Sequence, residues 1–92
     1  MKIEVTQLNS TAVRKLTYVV SEFDLAEQNE MGNNELAYGT LEIQYANGSE
    51  YAYYDVMLGT FTELVNATSI GRAVNEDIKP FHRYDKLATV NA

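Results

Sequence analysis

The chain has 92 residues, 46% apolar and 22% charged, with 5 glycines, 1 proline and no cysteine. That is enough for one core but not two, too apolar for disorder, and without the thiols that disulfides or thiolate metal sites need. The formal net charge of −6 is unevenly spread: from Leu16 to Gly71 nine acids (Glu22, Asp24, Glu27, Glu30, Glu35, Glu42, Glu50, Asp55, Glu63) stand without a Lys or Arg. Bases outnumber acids only at the two ends. Such a middle is a poor default for a nucleic-acid or anionic-membrane binder. The N-terminal segment from Met1 to Thr6 has no apolar h-region, and no stretch approaches the ~20 apolar residues of a bilayer span. A soluble, cytoplasmic protein is therefore expected.

Lys2 to Gln7 alternates, with Ile3 and Val5 against Glu4 and Thr6, and reads as a short strand that Asn9-Ser10-Thr11 breaks. Leu16 to Phe23 is rich in β-formers, and Leu16, Tyr18 and Val20 can share a face. Residues 24–36 read as a loop and short-helix excursion between strands. Asp24 would cap one or two turns from Leu25 to Met31, with Glu27 completing a capping box and Gly32 stopping the helix. Thr40 to Tyr45 alternates Leu41, Ile43 and Tyr45 with Thr40, Glu42 and Gln44. Asn47-Gly48 then signals a hairpin, because both residues tolerate positive φ, and a return strand runs from Glu50 to Val56. Thr60 reads as the N-cap of a helix with Glu63 at N3 and a core stripe of Phe61, Leu64 and Val65. Ser69 would cap a second helical stretch with Ile70, Ala73 and Val74 inward, and Pro80 ends it. The tail from Phe81 to Ala92 leaves one more strand or coil open. The order predicts a single α+β domain: a small antiparallel sheet of three to four strands with helices packed on one face.

Tyr51 and Tyr53 have two registers open to them. A two-residue Asn47-Gly48 loop pairs Glu42 with Tyr53 and Gln44 with Tyr51, making an exposed tyrosine platform beside carboxylates. If Gly48 is instead the left-handed residue of a bulged three-residue loop, pairing slips by one and both tyrosines join Leu41, Ile43 and Tyr45 on the core face. The second register is favoured, since tyrosine in a small domain is usually largely buried with its hydroxyl reaching the edge.

Catalytic and metal patterns are weak. His82 is the single histidine, and one His without Cys is a poor zinc signal, so no metal and no cofactor are expected. No Gly-x-Ser-x-Gly elbow frames a serine, and Gly71-Arg72 does not open a phosphate loop. Enzyme activity is not expected. Arg72, Lys79, Arg83 and Lys86, with His82 and Tyr84 interleaved, form a small basic cluster that Glu76, Asp77 and Asp85 offset.

The run Thr40-Leu41-Glu42-Ile43-Gln44-Tyr45-Ala46-Asn47-Gly48, followed by Tyr51-Ala52-Tyr53, Asp55-Val56, Ala67-Thr68-Ser69-Ile70-Gly71-Arg72, Asn75 and Ile78, resembles the KTSC domain. That family is named for the C-terminus of certain lysyl-tRNA synthetases and also occurs as free-standing small proteins. Ser10 to Tyr18 is similar to its opening segment. Two departures stand out: the excursion between about Val19 and Gly39 is long for the family, and Met57 occupies a position where proline is common. The family has no established activity, and its synthetase context implies a role in RNA binding. The resemblance singles out Tyr51, Tyr53, Ser69, Gly71, Arg72 and Asn75, of which Ser69 and Gly71 suit cap and turn roles.

Three functional expectations arise. The first is a non-enzymatic binding domain that engages a protein partner, as a regulator or phage-type inhibitor would, through an acidic surface of Glu42, Glu50, Asp55 and Glu35. The second is a single-stranded RNA binder using Tyr51 and Tyr53 with Arg72, Asn75 and Arg83 on the basic C-terminal edge. A dimer that sequesters a small nucleotide between tyrosines is the third. No membrane partner is expected.

Overall fold

The alternating segments all form strands, and the tail adds another. The computed structural model describes residues 1–88 except 7, 9, 22, 24, 25, 28, 29, 31 and 33–35. Strands β1 (Lys2–Val5), β2 (Val13–Val19), β3 (Tyr38–Tyr45), β4 (Glu50–Met57) and β5 (Tyr84–Ala88) lie side by side in chain order, each antiparallel to the one before. The sheet is a five-stranded meander, so the expectation of three to four strands is corrected. The added strand is β5: Tyr84 and Lys86 fall opposite Tyr53 and Tyr51 of β4. The second strand ends earlier than the β-former run from Leu16 to Phe23 and starts earlier, where the Ser10 hydroxyl accepts from the Ala12 and Val13 amides and turns the chain into β2.

Two helical elements follow β4. Helix α1 spans Leu58–Val65, and α2 spans Ile70–Ala73 and continues as a π-helical turn over Val74–Ile78. The expected Thr60 cap is wrong. Met57 occupies the N-cap and makes no side-chain capping bond, while the Leu58 amide donates to the Ala37 carbonyl at 2.9 Å. A tertiary hydrogen bond thus does what a capping side chain usually does. Met57 has φ −68°, the angle a proline would impose, so the backbone at this position suits either residue. Ser69 caps α2 as expected, accepting from the Arg72 amide, and Pro80 follows the π turn. The short helix expected from Leu25 to Met31 and its Asp24 cap fall largely outside the described residues; Gly32, where that helix should stop, has the left-handed φ of 87°.

The hairpin adopts the bulged register. Gly48 has φ 91°, its amide donates to the Tyr45 carbonyl, and the Asn47 side chain accepts from the Ser49 amide. Ile43 therefore faces Tyr51, and Leu41 faces Tyr53. Further along, a β-bulge between the Gly39 and Leu41 pairings puts Asp55 at φ 57°, a left-handed conformation that Asp tolerates better than most residues. The bulge returns Val56 to the inner face, where it is fully buried.

The core lies between that inner face and the helices. Leu16, Tyr18, Leu41, Ile43, Tyr53 and Val56 from the sheet meet Phe61, Leu64, Ile70, Val74 and Ile78. Tyr18 sits at the centre. Its ring stacks on Phe61 at 4.8 Å between centroids, and its hydroxyl donates to the Val56 carbonyl at 2.7 Å. Among the described residues no helix is long and apolar enough to cross a membrane.

Gly39 shows how tightly Tyr18 is held. A Cβ there would lie 2.5 Å from the Val19 carbonyl oxygen and 2.8 Å from the Tyr18 hydroxyl. Gly39→Ala is expected to destabilise the domain by about 1–3 kcal/mol through overpacking, measured as a lower urea midpoint. An unchanged midpoint would mean that β2 and β3 do not approach this closely.

Candidate functional site

The inner face of the sheet continues beyond the helical cover toward β5, and there it is made of tyrosine. Residues opposite one another across strands share a face. The register therefore gathers Tyr45 from β3, Tyr51 and Tyr53 from β4 and Tyr84 from β5. Tyr45 meets Tyr51 edge-on at 5.7 Å, and Tyr84 lies 5.9 Å from Tyr51 and 5.7 Å from Tyr53, both tilted. These four rings and Lys79 line a cavity of about 300 Å³. Tyr53 is the floor at 2% exposure, Tyr45 and Tyr51 are half-buried, and Tyr84 forms an open wall at 56%.

One ammonium group lines the cavity, and a second stands over one of its rings. Lys79 Nζ lies 5.6 Å from the centroid of the Tyr45 ring, and Lys86 Nζ lies 5.7 Å from that of Tyr51. Lys86 reaches its place by strand alternation, two residues on from Tyr84. Lys79 reaches its place from the π turn, where its amide donates to the Val74 carbonyl, five residues back, at 2.9 Å. Such a turn holds one more residue than an α-helical turn and so rotates the next residues about the helix axis. Among the described residues no carboxylate lines the cavity. An aromatic floor with a lysine at its rim suits a planar ring that bears an anionic substituent.

The phenols are tuned by this environment. The Tyr45 hydroxyl is buried and has no partner in hydrogen-bonding geometry among the described residues. Burial, then the neighbouring Tyr53 hydroxyl, pushes its pKa well above the ordinary tyrosine range. Burial also raises Tyr53, and it carries Tyr18 from 10.0 to about 12.

Of the residues singled out for RNA, Tyr51 and Tyr53 are brought together, but Tyr53 is covered and cannot serve as an exposed platform. Arg72, Asn75 and Arg83 do not line the cavity. The Arg72 guanidinium pairs with Glu76 at 2.9 Å, and Asn75 is exposed on the π turn. Arg83 lies over the Tyr54 ring at 5.0 Å, on the outer side of the sheet, where the Tyr54 hydroxyl donates to Asp85 at 2.7 Å. His82 Nδ1 sits 3.0 Å from the Tyr54 carbonyl, a contact within the fold.

The acidic residues are also separated. Glu42 and Glu50 stand on the outer face beside Lys2, Glu4, Lys15, Thr17 and Gln44, around a depression of about 100 Å³. The fold thus returns N-terminal lysines to acids that have no base near them in the sequence. Asp55 is exposed at the bulge, away from this group, and Glu35 lies outside the described residues. A wider depression of about 430 Å³ runs between Ser10–Ala12 and Thr68–Gly71, but its Ser10 and Ser69 hydroxyls already accept backbone amides. Among the described residues no group of three or more His, Cys, Asp or Glu could hold a metal ion.

Sequence reasoning placed Tyr45 with Tyr51 and Tyr53 on the core face in the bulged register, and left Tyr84, Lys79 and Lys86 in a basic cluster not joined to them. The signal that joins them is the alternation of Tyr84 and Lys86, legible once the tail is taken as a strand. The family model described as KTSC domain matches residues 35–84, the stretch from just before β3 to the first residue of β5. No curated protein matches the chain.

The raised phenols set a pH dependence. A tyrosine whose folded pKa exceeds its unfolded value favours folding while it stays protonated. Stability is therefore expected to hold below pH 10.0 and to fall as pH rises from there to about 12, the range over which Tyr18 ionises in the unfolded chain first. Urea midpoints across that range measure it, with Tyr18→Phe flattening the fall. A midpoint indifferent to pH would contradict the burial of these hydroxyls.

Proposed function

The chain belongs to the KTSC domain family, and on that premise we propose that it is a small non-enzymatic binding domain that holds single-stranded RNA at the tyrosine cavity. The observation that carries this reading is the joining of four tyrosine rings and Lys79 around one cavity free of carboxylates among the described residues, with Lys86 over the Tyr51 ring. Bases stack on aromatic rings whatever their sequence, and lysines at the rim meet phosphate. The basic residues of the site are then Lys79 and Lys86, in place of Arg72 and Arg83.

The competing reading is a protein partner held by Glu42, Glu50, Asp55 and Glu35. Its support is the base-free middle of the chain. Lys2 and Lys15 beside Glu42 and Glu50 weaken it, because the face they share is of mixed sign.

Titration with a single-stranded oligonucleotide at low salt, read by tyrosine fluorescence, tests the proposal. Binding is expected to weaken with salt, at a logarithmic slope of about −0.7 for each phosphate neutralised on a single strand. Lys79→Glu and Lys86→Glu should each weaken it, and Glu42→Lys with Glu50→Lys should leave the cavity contact intact. No binding at low salt, or binding indifferent to both lysine reversals, would overturn the reading.

A further inference from the structure

Resting on the RNA reading of the same cavity, we infer that the recognised unit is a single nucleotide: one base in the tyrosine cavity, with its phosphate between Lys79 and Lys86. Size is the first argument. About 300 Å³ lies at the lower end of the range for ligand pockets, room for one ring system and not for a run of bases. Ring geometry is the second. The tyrosines meet tilted or edge-on, with Tyr51 and Tyr84 at 60° to one another and Tyr45 and Tyr51 at 83°. They enclose one slot and do not form a row of parallel platforms on which successive bases could stack.

Charge is the third argument. Domains that follow a strand line its path with cations. Here Arg72 is held by Glu76 and Arg83 lies over Tyr54 on the outer face, so neither continues the line from the cavity. Lys79 and Lys86 stand over two different rings, and among the described residues neither is in a salt bridge, unlike Lys2 and Arg72. Both are exposed, so each can turn from its ring to an incoming phosphate at little cost in desolvation. In a chain of net charge −6, Lys79 is the charged residue that lines this cavity among the described residues.

A free nucleoside monophosphate and the terminal nucleotide of a strand carry the same chemistry. Binding of adenosine monophosphate, adenosine and a single-stranded oligoadenylate to the full chain, followed by NMR of the tyrosine ring signals, separates the outcomes. Adenosine monophosphate is expected to shift Tyr51 and Tyr84 and to bind about tenfold tighter than adenosine, the worth of one charge-assisted contact. The double variant Lys79→Gln, Lys86→Gln should erase that difference without weakening adenosine. Equal binding of adenosine and its monophosphate would overturn the inference. So would binding of the oligoadenylate alone, which leaves the RNA reading standing. Failure of all three ligands would overturn both.

Discussion

One glycine conformation decides which side of the sheet carries the tyrosines. With Gly48 in the left-handed region the loop from Ala46 to Gly48 holds three residues, and Tyr51 and Tyr53 fall opposite Ile43 and Leu41. A slip of one residue would send every side chain of β4 to the other face, because strands alternate with period two. The inner face would then lose Tyr53 from its floor, and β5 would have no tyrosine row to extend. Core, cavity and cation placement all depend on this register.

The far end of the same hairpin is held by a different device. The Tyr18 hydroxyl spans from β2 to the Val56 and Ala37 carbonyls, and the Ala37 carbonyl also accepts the Leu58 amide that opens α1. The exit of β4 and the start of the helix are thereby fixed to the strand across the core. From that anchored start the chain runs through α1, α2 and the π turn to Lys79. The position of a rim lysine thus depends on a buried phenol at the opposite end of the hairpin.

Much of the fold is legible in the sequence because its strands alternate so regularly. Leu41, Ile43 and Tyr45 declare β3, Asn47-Gly48 declares the turn, and the buried fate of Tyr53 follows from the cost of leaving so large a ring in water. Ser69 and Pro80 mark α2 and its end by local chemistry alone. The start of α1 is illegible for a matching reason: a carbonyl of residue 37 takes the capping role, and no local pattern reports a partner so distant in the chain. The fifth strand is short, and the Pro80 turn before it marks the end of the helix without announcing a strand, so only its pairing with β4 distinguishes it from coil. The hairpin part of the site, Tyr45 with Tyr51 and Tyr53, is legible in the bulged register; the rest escapes, since only the pairing of β5 and the π turn bring Tyr84 and Lys79 to Tyr51.

The charge distribution changes meaning in three dimensions. Along the chain nine acids stand without a base, yet Glu42 and Glu50 share their face with Lys2 and Lys15, and among the described residues the one charged side chain lining the tyrosine cavity is Lys79. All of this rests on the hairpin register, which cross-strand proton NOEs measure directly. Contacts pairing Ile43 with Tyr51 and Leu41 with Tyr53, joined by ring contacts between Tyr51 and Tyr84, are the predicted result. Contacts pairing Gln44 with Tyr51 and Glu42 with Tyr53 would contradict it and put the tyrosines on the outer face.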